Sequence, residues 1–153
     1  MDFTLSAKTI QYASKLQAFM DSEVFPAEAV YEKQRHELIA SGKPHELPAV
    51  VEDLKKKARA LGLWNLFLPH STNPHHGLSV TEYATLAEIT GWSPEIAPEA
   101  INCAAPDTGN MELLDMFGTD EQKKTWLEPL LEGRIRSAFA MTEPDVASSD
   151  ARN

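Results

Sequence analysis

Only one stretch of this chain reads as a β-strand. In "RIRSAFAMT", Ile135, Ser137, Phe139 and Met141 fall on one side and Arg134, Arg136, Ala138 and Ala140 on the other. That two-residue alternation is the period of a pleated strand. A single strand has no partner within its own chain, and an isolated strand is not stable. The fold is therefore expected to be mainly α. The change of character after Gly133 predicts a helical domain over residues 1–133 and the incomplete beginning of a second, β-rich domain over residues 134–153.

The rest of the chain carries helical spacing and helix punctuation. Ile10, Ala13, Leu16, Met20 and Val24 predict a first helix over residues 5–24. Pro26 can open a second, where its missing N–H does no harm, ending near Gly42. Pro48 can open a third, with Val51, Leu54, Ala58 and Leu61 on one face, the lysines on the other, and Gly62 as C-cap. "SVTE" (Ser79–Glu82) and "TDEQ" (Thr119–Gln122) are capping boxes. Trp126 and Leu130 are expected to face the core, and Pro129 to shorten or kink the last helix.

Charge and cysteine content narrow the function classes. The net charge is −9, which disfavours a phosphate backbone, so nucleic acid is not an expected partner. "KKKAR" (Lys55–Arg59), the one dense basic run, reads as a solvated helix face with acidic neighbours. The lone Cys103 excludes an internal disulfide, and "INCAAP" offers no basic neighbour to activate a thiol, so it reads as structural. His70, His75 and His76 cluster at irregular spacing, with His36 and His45 apart. They read as solvated loop residues, and no metal site is expected. No apolar run approaches the ~18 residues of a membrane span. "MDFTLSAK" has no signal-peptide pattern, so a cytoplasmic location is expected.

The chemistry is expected in "FAMTEPDVASSD" (Phe139–Asp150). Pro144 stiffens a turn, and Ala147, Ser148 and Ser149 are small enough for backbone N–H groups to approach an anion closely. Thr142 can fix the polar edge of a ring, while Phe139 and Met141 offer apolar surface to a flat cofactor. Asp145 and Asp150 would cap the turn. An ordinary strand-to-strand turn uses the same residues.

"AFAMTEPDVASSD" resembles the first signature of the acyl-CoA dehydrogenases, a Thr-Glu-Pro turn leading to a Gly-Ser-Asp end. "FGTDEQKKTWLEPLLEGRIRSAFAMTEP" and "LGLWNLFLP…GLSVTEYATLAEITG" add the family's helical context, so that the resemblance covers Leu61 to Asn153. "VASSD" departs from the usual Ala-Gly-Ser-Asp by one extra residue and no glycine. This form is similar to the subgroup whose larger members are fused to a kinase-like domain. Ser148 and Ser149 both remain open for the family serine; counted back from Asp150, Ser149 takes the role.

The resemblance implies the N-terminal helical bundle of a flavoenzyme, with the first strand and turn of its middle β-domain. Such enzymes remove the α- and β-hydrogens of an acyl-CoA thioester, with hydride passing to FAD. Phe139, Met141, Thr142, Ser148 and Ser149 would then contact FAD, and Ser149 either a FAD phosphate or the acyl-CoA side. No catalytic residue is assigned. The family's glutamate base comes from a late helix beyond position 153, so residues 1–153 alone are expected to be inactive. An electron-transfer flavoprotein or oxygen would accept the electrons, and homo-oligomers are expected. The rival reading is a non-catalytic helical module that pairs with itself or a related subunit through its unpaired strand.

Overall fold

The computed structural model describes residues 4–68, 78–142 and 144–145. Among them are eight α-helices: α1 (Ala7–Phe19), α2 (Phe25–Ala40), α3 (Ala49–Ala60), α4 (Val80–Thr90), α5 (Ala97–Ala100), α6 (Asp107–Phe117), α7 (Asp120–Gln122) and α8 (Glu128–Leu131). The mainly α expectation holds. The helices fall into two compact units, Met1–Ala104 and Ala105–Asn153.

In the first unit α1 packs on α4, α2 on α3, and α3 on α5. Leu16, Phe19, Met20 and Val24 are buried there, as are Val51, Leu54 and Ala58 of α3, Leu86 of α4, and Ala97 and Ala100 of α5. Each large apolar side chain so buried contributes roughly 1.5–3 kcal/mol. Leu63, Leu66, Phe67 and Leu68 of the loop after α3 are also buried. A pair of asparagines ties that loop to the end of α5. Asn102 Nδ2 donates to Asn65 Oδ1 at 2.6 Å, and the Asn65 N–H donates to the Ile101 carbonyl at 3.0 Å. Both asparagines have positive φ, 58° for Asn65 and 57° for Asn102, a region in which Asn is favoured among non-glycine residues.

Pro26 stands in the first turn of α2, as read, and α2 follows α1 without a gap; Pro129 likewise stands in the first turn of the short α8. Residues 7–40 are helical throughout, joined by a π turn at Met20–Val24, and a second π turn at Lys123–Leu127 links α7 to α8. Each π turn closes one residue before a proline. The Phe25 N–H donates to the Met20 carbonyl, and the Glu128 N–H to the Lys123 carbonyl. A proline ring collides with the carbonyl four residues back and supplies no N–H of its own. Widening the preceding turn lets the helix continue through Pro26 and Pro129. The extra residue also rotates the buried face. Trp126, expected in the core, is 54% exposed, while Leu127 and Leu130 are buried.

The lysine run also differs from its reading. Lys56 and Lys57 are exposed and paired with Asp53 and Glu23. Lys55 is only 7% exposed, and its ammonium lies 2.8 Å from Glu99 of α5 and 3.0 Å from Glu52. Two carboxylates compensate its charge, which lets a lysine sit on the packed face of α3. Also in the first unit, the starts of α1 and α4 are tied together. Ser79 and Glu82 form the expected capping box, and Ser6, the N-cap of α1, donates to Glu82 Oε1 at 2.6 Å.

The Ser6 hydroxyl and then the Ser79 N–H hold the Glu82 carboxyl below the ordinary value of 4.5. A depressed carboxylate contributes its full stability above 4.5 and loses it as the pH falls through the lowered value. Glu82→Gln should therefore lower the urea midpoint at about pH 7, with the difference shrinking at a pH well below 4.5. An equal difference at both would contradict this role.

Candidate functional site

The second unit is organised by the first turn of α6. The Ala105–Pro106 peptide bond before it is cis. Asp107 opens the helix, where an anion is favoured by the exposed N–H groups. Its side chain is buried, and three donors from the chain after α8 converge on it. Arg136 Nε donates to Oδ2 at 2.5 Å, and the Ser137 N–H and hydroxyl donate to Oδ1 at 2.7 and 2.5 Å. One turn along, Asn110 Nδ2 donates to Ser137 Oγ at 2.8 Å and to the Ala138 carbonyl at 3.5 Å.

Residues 134–142, read as a strand, are not one here. No second strand exists among the described residues to supply a ladder. The side chains of α6 meet part of the backbone instead. The predicted alternation survives locally: Ile135 and Ser137 are half-buried, while Arg134, Arg136 and Ala138 are exposed.

Beyond that anchor the chain passes a cavity of about 490 Å³ lined by Ala105, Pro106, Thr108, Gly109, Asn110, Leu113 and Phe139. Most of these side chains are apolar, as in a site for a hydrophobic chain or ring. Gly109 lies in its wall. A Cβ added there would meet nothing within 4 Å, although glycine costs a helix roughly 0.5–1 kcal/mol relative to alanine.

Of the predicted site residues, Phe139 lies at this cavity and is 68% exposed, Met141 is 49% exposed, and Thr142 is exposed. These three come directly after the anchored segment. Ser148 and Ser149 lie outside the described residues, as do His70, His75 and His76. The sequence does not single out Asp107, Gly109 or Asn110. "PDTGN" looks like a routine helix start, and nothing local reveals that its carboxylate takes donors from positions 136 and 137.

Cys103 lies elsewhere, in the first unit. Burial pushes its thiol up to about 11, against a smaller opposing effect from the Tyr83 hydroxyl and the Phe67 and Leu66 N–H groups. Burial likewise raises the Tyr83 hydroxyl. A thiol held protonated at neutral pH is not a nucleophile. Among the described residues, no cluster of three or more His, Cys, Asp or Glu could hold a metal, and no helix is long and apolar enough to cross a membrane.

The largely helical architecture agrees with what comparison with known proteins finds. Residues 6–134 match the family described as Acyl-CoA dehydrogenase, N-terminal domain. The chain belongs to the acyl-CoA dehydrogenase family. It is 60% identical to Mycobacterium tuberculosis "Probable acyl-CoA dehydrogenase FadE2" over 100% of this chain and 36% of that protein. It is 53% identical to mouse acyl-CoA dehydrogenase family member 10, over 97% of this chain and 14% of the relative. A solved structure described as "a putative acyl-CoA dehydrogenase from Mycobacterium abscessus" superposes with a TM-score of 0.85 at 50% identity, covering 97% of this chain and 37% of the other. The chain thus spans little more than a third of the first of these relatives, and less of the mouse protein.

With its thiol pushed up to about 11, Cys103 should react with an aromatic disulfide reagent only slowly in the folded chain and rapidly in denaturant. Equal rates in both would show that the thiol is not buried.

Proposed function

We propose that this chain is the N-terminal portion of a flavin-dependent acyl-CoA dehydrogenase. The complete enzyme would take the α- and β-hydrogens from an acyl-CoA thioester. The observation that carries the reading is the anchored segment leading into Phe139, Met141 and Thr142 beside an apolar cavity, in a chain of this family. FAD, when bound, would accept the hydride. The residues present suit such a group: Phe139 and Met141 expose apolar surface, and Thr142 brings a hydroxyl and an N–H that can hydrogen-bond a ring edge and favour its reduced, anionic form. Ser148 or Ser149 would take the family serine's role on the phosphate or acyl-CoA side, Ser149 by counting back from Asp150. The cavity beside Phe139 would take apolar parts of the ligands and keep water from them.

The domain division proposed is a helical domain over residues 1–133 and the start of a β-domain over 134–153. No side chain in residues 1–153 is assigned as the proton acceptor; a glutamate outside them would take the α-proton. Electrons would pass to an electron-transfer flavoprotein or oxygen.

A second reading, a helical module that pairs with another subunit, draws on exposed apolar side chains in the second unit. Leu113, Met116 and Phe117 form a stripe on α6, and Trp126 is exposed as well. Such surface marks contact sites.

Turnover of acyl-CoA with added FAD and a dye acceptor tests the proposal, using the 153-residue chain and the complete product of its coding frame. The chain alone should give none, and the complete product should bleach its flavin on adding acyl-CoA. Turnover by residues 1–153 would contradict the missing base. A complete product that binds no flavin would leave the pairing module as the reading.

A further inference from the structure

We infer that Asp107 is the positioning residue of the flavin-facing segment, acting through Ser137 and Arg136. The inference rests on the proposed role of Phe139, Met141 and Thr142. A carboxylate is an acceptor on both oxygens, and Asp107 presents both to donors: Oδ2 to Arg136 Nε, Oδ1 to the Ser137 N–H and hydroxyl. The Ser137 hydroxyl is fixed from the other side by Asn110 Nδ2 at 2.8 Å. Ser137 is thus held at its backbone and its side chain by one helical turn.

That hold sets the register of the residues beyond Ser137. Side chains alternate along an extended segment, and a one-residue slip exchanges the two sides. With Ser137 anchored, Phe139 and Met141 take the positions two and four residues on. Slipped by one, those positions would fall to Ala138 and Ala140 or to Ala140 and Thr142, with no aromatic ring at the cavity. Asparagine at position 107 is nearly the same size, but its amide N would face one of the donors and could not accept from it. Asp107→Asn therefore tests the register with little change in packing.

The test uses the complete product of the coding frame, reading its affinity for FAD and the absorption bands of the bound flavin. Asp107→Asn is expected to weaken FAD binding about tenfold, the loss of one hydrogen bond to a charged group, and to shift the bands. Ser137→Ala should do the same to a smaller degree. The double variant should lose less than the sum of the two single losses, since both disturb the Asp107–Ser137 contact. If Asp107→Asn lowers the melting temperature yet leaves flavin affinity and bands unchanged, while Thr142→Ala shifts them, Asp107 is structural only and the reading of the site survives. If Phe139→Ala and Thr142→Ala also leave the flavin untouched, the reading of the site fails and this inference with it. Should Asp107→Asn not fold, Ser137→Ala decides, and unchanged bands there overturn the inference.

Discussion

The second unit depends on one buried carboxylate. Asp107 starts α6, and without its partners a charge at 3% exposure would be strongly unfavourable. Among the described residues its hydrogen-bond partners come from positions 136 and 137. The same contacts that make the burial tolerable therefore fix where the chain leaves the last helix. Folding of α6 and placement of the candidate site are a single requirement. A segment with strand-like alternation and no strand partner among the described residues is held by a helix start.

The first unit relies on polar contacts in the same way. Ser6 and Glu82 join two helix starts, Asn65 and Asn102 join two loops, and Lys55 and Glu99 join α3 to α5. Each contact links elements far apart in sequence while satisfying groups that burial or helix ends would leave bare. The two π turns solve a different problem, carrying helices through Pro26 and Pro129 with a rotated face as the consequence.

What could be read from the sequence was what is local. Both capping boxes form as read, because donor and acceptor lie three residues apart. The helical class and the family are legible for the same reason, through spacing and motif. The burial of Lys55 is not, since Glu99 lies on another helix. Trp126 departs from its expected place because the widened turn before Pro129 shifts the helical register, which a fixed period of 3.6 does not anticipate. Phe139, Met141 and Thr142 stand out by their motif, whereas Asp107 and Asn110, which anchor the chain leading to them, look in sequence like any helix start. Ser148 and Ser149 lie outside the described residues.

Amide hydrogen exchange along residues 134–142 of the chain tests the central claim most directly. If the Asp107 carboxylate and Asn110 anchor this segment, the Ser137 N–H is protected while the exposed Ala140 and Thr142 amides exchange freely. In Asp107→Ala, which removes both acceptor oxygens, the protection at Ser137 is lost, while that of α1 to α4 is kept. A Ser137 amide that exchanges as fast as Ala140 in the unsubstituted chain would contradict the account.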